Sequence, residues 1–308
     1  MRIVMDARWI FREISGIGTY TRELIRHLAR LDRENSYVLL FDDPSILDRT
    51  VRETGLEEAR NFSARYVPFG IFSIRNQLLL PAFLRRERAD LFHSTNYMIP
   101  FLAFPRNGRH RTRCIVTIHD VIPMLFPGMV PKSLKARVYP LYRFVMKEVG
   151  RRADVILTDS KASRIDILRQ LNISDDRKVR SVYCGVSDRF SPAPSPRSSD
   201  PARPRTLLYV GRSDPYKNLT TVIRALPAIL KQCPFSVTLT VAGSPDPRYP
   251  EARETARALG VDTAVTWTGY LPDENLVRLY RKADALVHPS LYEGFGLQVV
   301  EAMACGLP

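Results

Sequence analysis

The sequence has few cysteines and no long hydrophobic run. Its four cysteines, Cys114, Cys184, Cys233 and Cys305, show neither metal-ligand spacing nor a disulfide framework, so we expect buried thiols and no metal site. No stretch of about 18 apolar residues occurs, and residues 2–6 are typical of a strand rather than of a signal peptide. Neither a membrane span nor secretion is indicated, and we expect a cytosolic protein.

An excess of negative charge is also lacking, because the 308 residues include 46 Lys and Arg against 32 Asp and Glu. The imbalance lies in residues 1–200, which hold 34 bases and 22 acids, whereas residues 201–308 hold 12 and 10. This asymmetry suits an anionic partner of the first half: a membrane surface, a phosphorylated acceptor or nucleic acid. No nucleic-acid-binding module and no set of base-stacking aromatic residues is recognisable, so nucleic acid is the least favoured of the three.

Short apolar runs alternate with segments of helical period, which is typical of βαβ units and a parallel sheet. Strands are predicted near residues 2–6, 37–41, 63–67, 90–93, 113–119, 154–158, 178–183, 206–210, 236–242, 264–267 and 284–288. In the second half, helices are predicted near residues 217–232, 250–259, 272–282 and 297–305. The Pro- and Ser-rich segment 191–204 is predicted to be an interdomain linker or a surface loop. We therefore predict an α/β protein with two doubly wound domains, 1–190 and 205–308, facing a cleft at the carboxyl ends of their strands.

Two glycines, Gly16 and Gly18, stand at the start of the first predicted helix. One face of that helix is predicted to carry Tyr20, Leu24, Ile25, Leu28 and Leu31. A glycine-rich turn that opens a helix lets backbone N–H groups approach an anion, but a plain tight turn explains two glycines equally well. The third glycine of a dinucleotide-binding fingerprint is missing.

Polar residues follow two other strands of the first half. His119 is predicted to project from a strand end into the cleft, with Asp120 fixing its tautomer or orientation. A histidine that is merely hydrogen-bonded is the alternative. Asp159 and Ser160 follow the next strand, and either could instead be the N-cap of a helix that begins near Lys161.

The second half carries a sharper pattern after its first strand. Gly211 and Arg212 end that strand, and Lys217 and Asn218 stand at the start of the next helix. Glycine leaves room for a phosphate, while arginine offers a planar fork and lysine a point charge for a diphosphate.

A second pattern follows the last predicted strand. Gly294 and Gly296 lie in a strand-to-helix turn, where the first N–H groups of the helix face the cleft. Glu293 and Glu301 are separated by seven residues, which suits two hydroxyl-bearing parts of one ligand. Acidic residues at a helix start are the simpler alternative.

Together these motifs resemble the donor site of family 4 of the retaining glycosyltransferases, whose members have the two-domain GT-B fold. The resemblance covers essentially the whole chain. It is carried, in order, by residues 16–20, 119–120, 159–163, 211–212, 217–218, 293–296 and 301–308.

The resemblance implies a role for each matching residue. Arg212 and Lys217 would hold the donor diphosphate and offset its growing charge, Glu293 would bind sugar hydroxyls, and His119 would contact the transferred sugar. Donor-binding positions are implied for Gly16, Gly18, Gly211, Asn218, Gly294, Phe295, Gly296, Leu297 and Glu301, the last on the ribose. No metal and no cofactor beyond the nucleotide-sugar co-substrate is implied. Retention is explained in such families by front-face attack, in which the departing phosphate accepts the proton, so no protein base is named.

The segment 120–127 resembles the variant found in bacterial mannosyltransferases of surface-polysaccharide assembly, which implies GDP-mannose as donor and a glycan or lipid-linked acceptor. Two basic amphipathic segments, 75–86 and 132–143, are predicted to contact an anionic membrane at its inner face. Ordinary solvated helix faces over a core are the alternative.

The chain ends at Gly306, Leu307 and Pro308, where the family continues into another strand. The resemblance therefore implies that the second domain is incomplete, and a less stable and even inactive product is expected. Two other functions remain open: a noncatalytic nucleotide-sugar-binding fragment, and an epimerase or phosphorylase of the same fold.

Overall fold

The computed structural model of the chain describes residues 1–106, 108, 111–129, 138–194 and 203–308. The chain forms two compact units, one of Met1–Met124 and Val138–Cys184, the other of Leu125–Arg137 and Gly185–Pro308. This grouping differs from the predicted range 1–190 at residues 125–137 and 185–190. Residues 195–202 of the predicted linker and 132–137 of the second basic segment lie outside the described residues.

The first unit contains a seven-stranded parallel sheet in the order β3-β2-β1-β4-β5-β6-β7. Its strands are β1 (Arg2–Asp6), β2 (Ser36–Phe41), β3 (Phe62–Tyr66), β4 (Leu91–Ser94), β5 (Arg113–Thr117), β6 (Val155–Thr158) and β7 (Val179–Ser181). The strand order reverses between β1 and β4, and ligands of doubly wound sheets bind beyond the carboxyl ends of the strands at such a point.

The helices of this part of the chain are α1 (Gly16–Leu31), α2 (Pro44–Thr54), α3 (Ile74–Arg86), α4 (Ile122–Leu125), α5 (Tyr139–Arg152) and α6 (Lys161–Leu171). Continuous apolar strands form the core, since a parallel sheet is covered on both faces. On α1, Ile25 is buried, and Leu24 and Leu28 pack against the same cluster. Leu31 is the last residue of the helix, and its side chain is 78% exposed.

The second unit contains a four-stranded parallel sheet in the order β10-β9-β8-β11. Its strands are β8 (Arg205–Val210), β9 (Val237–Ala242), β10 (Val265–Gly269) and β11 (Ala285–Leu286), and its helices are α7 (Leu219–Gln232), α8 (Glu251–Ala258), α9 (Asp273–Lys282) and α10 (Leu297–Ala304). Tyr209 packs in a cluster with residues of α7 and α8, whereas its neighbour Leu208 packs in a cluster with residues of α9 and α10. Helices therefore cover both faces, as the predicted doubly wound architecture requires.

The cysteines differ in their exposure. Cys114 and Cys305 are buried as expected, but Cys184 and Cys233 are only half-buried, so the prediction of buried thiols is wrong for these two. Cys184 follows β7 at the edge of its sheet and Cys233 caps the end of α7, and such terminal positions are less covered than sheet interiors. Within the described ranges, no helix combines the length and apolarity that a bilayer crossing needs.

Candidate functional site

Glycines end three neighbouring strands of the second sheet, at Gly211, Gly243 and Gly269. The Gly211 N–H donates to Ala242 O at 2.9 Å, and the Gly243 N–H donates to Gly269 O at 3.0 Å. A Cβ at Gly243 would lie 2.0 Å from the Gly211 carbonyl oxygen, a contact that no side-chain motion can relieve. Close approach of two backbone segments therefore requires a glycine here. Gly243 is not among the residues predicted from the sequence, although a glycine directly after a predicted strand was the available signal.

Arg212 extends from this edge and is held by carboxylates. Its Nε lies 2.9 Å from Asp214 Oδ2, and one terminal nitrogen lies 3.5 Å from Asp246 Oδ2. The hydroxyl of Tyr209 donates to the backbone carbonyl of Arg212 at 2.6 Å. Hydrogen bonds from Arg248 lower the pKa of Asp246 to about 2, so this carboxylate is charged at neutral pH. The Arg212 side chain is nevertheless 57% exposed, so it can reach a ligand from the solvent side.

Lys217 makes a different contact. Its ammonium donates to both oxygens of Glu293, at 2.7 and 2.9 Å, and lies 5.3 Å from the centroid of the Tyr216 ring. The lysine side chain is 11% exposed and the glutamate side chain 19%. The structure thus joins two residues that the sequence analysis had placed in one site with separate roles.

Backbone contacts fix the loops that carry this ion pair. Asn218 adopts a left-handed conformation with φ of 58°, and its side-chain amide Nδ2 donates to Pro289 O at 3.1 Å. The N–H of Leu291 donates to Tyr216 O at 2.8 Å. The segment before α7 is therefore tied to the segment after β11, which holds Lys217 beside Glu293.

Polar atoms around this pair remain unsatisfied. His288 Nε2 lies 3.4 Å from Glu293 Oε1, and burial, opposed by Glu293 but reinforced by Lys217, lowers the pKa of this histidine. The imidazole is therefore neutral at physiological pH. Within the described residues, Ser290 Oγ and Gln298 Oε1 are buried without a hydrogen-bond partner, which is costly unless a ligand or water supplies one.

The turn before α10 has the predicted glycine geometry. Gly296 is left-handed with φ of 87° and precedes Leu297, the first residue of α10, and no side-chain hydrogen bond caps this helix start. Glu301 lies one turn inside the helix, where its carboxylate is buried and accepts a hydrogen bond from the Tyr280 hydroxyl at 2.8 Å. Burial raises the pKa of Glu301 to about 7. Tyr280, its partner, was not predicted from the sequence.

In the first unit, His119 follows β5 and contacts the strand ends on both sides. Its Nδ1 lies 2.6 Å from Asp159 Oδ2, and its Nε2 lies 3.1 Å from the backbone oxygen of Thr95. The prediction that Asp120 orients this imidazole is wrong, because Asp120 instead accepts a hydrogen bond from the N–H of Ile122 at 2.9 Å. Successive residues of an extended chain point in opposite directions, whereas Asp159 stands at the end of the neighbouring parallel strand.

The two alternatives for Asp159 and Ser160 are resolved by their contacts. Ser160 caps α6, since its hydroxyl oxygen accepts a hydrogen bond from the N–H of Ser163 at 3.0 Å. Asp159 is left to contact the histidine, and its side chain is 9% exposed. Ser160 is therefore the N-cap, and Asp159 is the polar group at the strand end.

The contacts of His119 determine its charge. Both ring nitrogens face acceptors, and only the imidazolium form can donate at both positions. Burial lowers the pKa of His119, but the hydrogen bond and charge of Asp159 and the Thr95 carbonyl outweigh it, so the pKa is raised. The Tyr20 ring packs edge-on at 4.9 Å between centroids, and burial raises the pKa of its phenol to about 12. Burial also lowers the pKa of the nearby His93 to about 4, so His119 is the charged ring of this cluster.

The two N-terminal glycines have different environments. Gly16 is the first residue of α1 and is exposed. Gly18 is buried, and a Cβ there would lie 3.2 Å from Ile14 Cγ2. Close packing against Ile14 thus favours a glycine at position 18, whether or not a ligand binds there.

The structure gathers the predicted donor residues of the second half at the carboxyl edge of the second sheet. Arg212, Lys217, Glu293 and the turn 294–297 follow the ends of β8 and β11, while Glu301 lies just inside α10. His119 stands at the carboxyl edge of the first sheet.

Comparisons with known proteins agree with this arrangement. Residues 14–190 match the family model Glycosyltransferase Family 4, and residues 195–308 match Glycosyl transferases group 1. O-antigen chain mannosyltransferase B of Escherichia coli is 29% identical over 332 residues, which cover all of this chain and 81% of that protein. An uncharacterized glycosyltransferase of Methanocaldococcus jannaschii is 32% identical over 324 residues, covering all of this chain and 79% of that protein.

The fold has a close counterpart among solved structures. Sucrose-phosphate synthase from Thermosynechococcus elongatus superposes with a TM-score of 0.72 at 21% identity, over all of this chain and 80% of that one. The predicted α/β fold class of GT-B type is thereby confirmed. Two family models along its length and a relative of 32% identity across its whole extent show that the chain belongs to glycosyltransferase family 4.

Proposed function

We propose that this glycosyltransferase moves mannose from GDP-mannose to a glycan or lipid-linked acceptor, with retention of the anomeric configuration. The proposal rests on one observation above all, the cations Arg212 and Lys217 held by carboxylates at a single sheet edge. The choice of mannose is supported by the similarity to O-antigen chain mannosyltransferase B and by the segment 120–127.

In the ion pairs at this edge, a diphosphate can replace the carboxylates as the partner of the two cations. A diphosphate offers more charge and more acceptor oxygens than one carboxylate, so it can compete for the Arg212 fork and the Lys217 ammonium. Release of Lys217 would leave Glu293 able to accept hydrogen bonds from sugar hydroxyls. The cations would then stabilise the negative charge that grows on the phosphate as the glycosidic bond breaks.

The proposed reaction needs no protein base. The bond between C1 of the sugar and the β-phosphate oxygen breaks, and an acceptor hydroxyl oxygen forms the new bond to C1 on the same face. The acceptor proton passes to the departing phosphate oxygen, so atoms and charge balance. Glu301, paired with Tyr280, is proposed to bind the ribose from inside α10.

His119 contributes differently in this proposal. Because its ring nitrogens already contact Asp159 and Thr95, the imidazolium supplies positive charge and a fixed surface beside the transferred sugar. The exposed Gly16 at the start of α1 is proposed to approach the diphosphate through its backbone, as helix starts do. A lipid-linked acceptor would lie at a membrane, so peripheral binding at its inner face is part of the proposal.

The test is a donor and product assay. Thermal unfolding with GDP-, UDP- and ADP-sugars should show selective stabilisation by GDP-mannose, about 2.7 kcal/mol at a hundredfold excess over Kd. With acceptor present, GDP should be released, and proton NMR should show the donor's anomeric configuration in the product. Inversion would refute retention, and release from UDP- or ADP-sugars alone would refute the donor.

Two outcomes would replace the proposal. Donor binding without release under any acceptor would make the chain a noncatalytic nucleotide-sugar-binding protein. Conversion of the sugar in the absence of acceptor would make it an epimerase.

A further inference from the structure

Large apolar side chains are exposed together on the first unit, near α3 and α5. They are between 48% and 79% exposed. The apolar patch comprises Phe72, Ile74, Leu78, Leu79, Leu102, Leu141 and Phe144. In the described part of the second unit, the large apolar residues with comparable exposure are Leu259, Leu291 and Met303, which lie in separate elements.

Contacts between neighbouring segments place the elements that carry the patch side by side. The ring centroids of Phe72 and Tyr97 lie 6.3 Å apart, and those of Tyr97 and Tyr142 lie 5.7 Å apart. Tyr97 therefore links the start of α3 to the start of α5. The Gln77 side chain donates to Ile99 O at 3.1 Å and accepts from the Phe101 N–H at 2.7 Å. The loop that carries Leu102 is therefore bound to α3.

The apolar patch residues on the helices are not required by the core. On α3, Leu80 and Leu84 face inward, whereas Ile74 and Leu78 occupy the outer face one turn apart. On α5, Tyr142, Met146 and Val149 are buried, whereas Leu141 and Phe144 are exposed. Each helix thus carries apolar side chains on two faces, of which one lacks a partner within the described part of the chain.

The exposed charges on the two helices that carry the apolar patch have one sign. Arg75, Arg85, Arg86 and Arg143 are exposed beside it. Helix α3 contains no acidic residue, and the one acid of α5, Glu148, is buried.

Glu148 is neutralised within the fold. It is bound by Arg106, Arg151 and Arg152, of which the Arg106 hydrogen bond contributes most to lowering its pKa to about 2. The outer faces of α3 and α5 are therefore apolar and cationic.

We propose that this surface docks the protein on an anionic lipid bilayer. Leucine and phenylalanine side chains enter the boundary between headgroups and acyl chains, while flanking arginines remain among anionic headgroups. A second copy of the chain is a poorer occupant, because a twofold interface would place these arginines against one another. The inference rests on the proposed function only for the lipid-linked acceptor, since binding to vesicles requires neither donor nor acceptor.

Vesicle flotation of the full chain tests the proposal. Vesicles of phosphatidylcholine mixed with phosphatidylglycerol should bind the protein, and vesicles of phosphatidylcholine alone should not. The double variant Ile74→Gln/Leu78→Gln should lower the partition coefficient at least about tenfold, because two apolar side chains no longer enter the bilayer. Leu31→Gln is the matched control, since Leu31 is 78% exposed on α1 and lies outside the apolar patch.

The electrostatic contribution of the arginines to vesicle binding is tested with separate variants. Arg75→Gln/Arg86→Gln should weaken binding by about thirtyfold at low salt, whereas the exposed Arg65→Gln in β3 should bind as the original does. Far-ultraviolet circular dichroism confirms that each variant is folded.

Three results would overturn the inference. The first is equal binding to neutral and anionic vesicles, and the second is unchanged binding of both double variants. The third is dimerisation in solution that Ile74→Gln/Leu78→Gln abolishes, which would identify the apolar patch as a self-association surface. Sugar transfer to a water-soluble acceptor is measured in parallel, so that a failure of docking and a failure of the proposed function are distinguishable.

Discussion

The carboxyl edges of the two sheets differ in how they hold their charged residues. In the first unit, the side chains of His119 and Asp159 are only 12% and 9% exposed, and both ring nitrogens of the histidine have partners within the unit. In the second unit, Arg212 is 57% exposed, and Lys217 reaches Glu293, which is 76 residues away in the chain. The first edge is a fixed framework, whereas the second holds its cations in pairs that a stronger anion could replace.

The energetics of ion pairs explain why this difference suits binding. Exposed pairs such as Arg212 with Asp246 contribute about 0–1 kcal/mol, so exchanging the carboxylate costs little. Breaking a buried pair such as His119 with Asp159 leaves an uncompensated charge in a medium of low polarity, which is far more costly. Ligand exchange is therefore expected to cost least at Arg212, whereas displacing the largely buried Lys217–Glu293 pair requires the greater charge of a diphosphate.

Removing the ammonium of Lys217 should have the largest effect on activity. Lys217→Met is expected to lower kcat about 10²- to 10³-fold, the usual loss when one preorganised group that stabilises developing charge is deleted. Lys231→Met, at an exposed position of α7, is the matched control. Single-turnover release of GDP measures both. A loss of only a few-fold for Lys217→Met would mean that the second edge does not hold its cations for the diphosphate.

Gly243→Ala should have the next largest effect, a loss of stability, because the added methyl group forces the neighbouring backbone segments of the second edge to separate. The new methyl group would meet the Gly211 carbonyl oxygen at 2.0 Å, and overpacking of this kind costs about 3 kcal/mol of unfolding free energy. Gly185→Ala is the control, since a Cβ there meets no atom of the described residues within 4 Å. Urea unfolding compares the two variants. Equal stability would show that the edge is more adaptable than its close contact indicates.

The sequence supported the prediction of the sheets because parallel strands are continuous apolar runs that end in polar residues. The strand ends at Gly211 and His119 could be found in this way. The partners of these residues could not, because they depend on which strands lie side by side. Asp159 reaches His119 only because β6 pairs with β5, and Asp120, adjacent in sequence, points elsewhere.

The same limit applies to the second unit. Lys217 and Glu293 were both identified as donor-site residues, but their direct contact depends on the loops joined by Asn218 and Leu291. The packing role of Gly243 likewise arises from the approach of Gly211, which no local pattern encodes. Local chemistry identified site residues, whereas tertiary contacts determined how they are held.

Asp159→Asn tests whether the first edge is a fixed framework. The substitution should lower the unfolding free energy by about 2 kcal/mol at pH 6, because His119 loses a charged acceptor. The folded-state pKa of His119 is raised, so the stabilisation is complete below its unfolded value of about 6.5 and is lost as pH rises through the folded value. The original protein should therefore lose stability toward alkaline pH, and the variant should not.

Asp120→Asn is the control for this experiment, because Asp120 accepts from the Ile122 N–H rather than from His119, and its charge raises the pKa of His119 less than Asp159 does. Urea unfolding from pH 6 to higher pH gives both profiles. If Asp120→Asn removed the pH dependence and Asp159→Asn retained it, the assignment of the histidine's partner would be wrong.

The smallest effect is expected from Ser160→Ala, which separates helix capping from the contacts of His119 at the first edge. The Ser160 oxygen accepts from the Ser163 N–H at 3.0 Å, and deleting such a cap costs about 1 kcal/mol of unfolding free energy. Ser15→Ala is a matched control, because Ser15 is the N-cap of α1 but makes no capping hydrogen bond through its side chain, so its loss should be several-fold smaller. Urea unfolding gives the free energies, and the pH dependence contributed by His119 should persist in both variants. If Ser160→Ala abolished that dependence, capping and the position of Asp159 would be coupled, and the first edge would be less rigid than its hydrogen bonds imply.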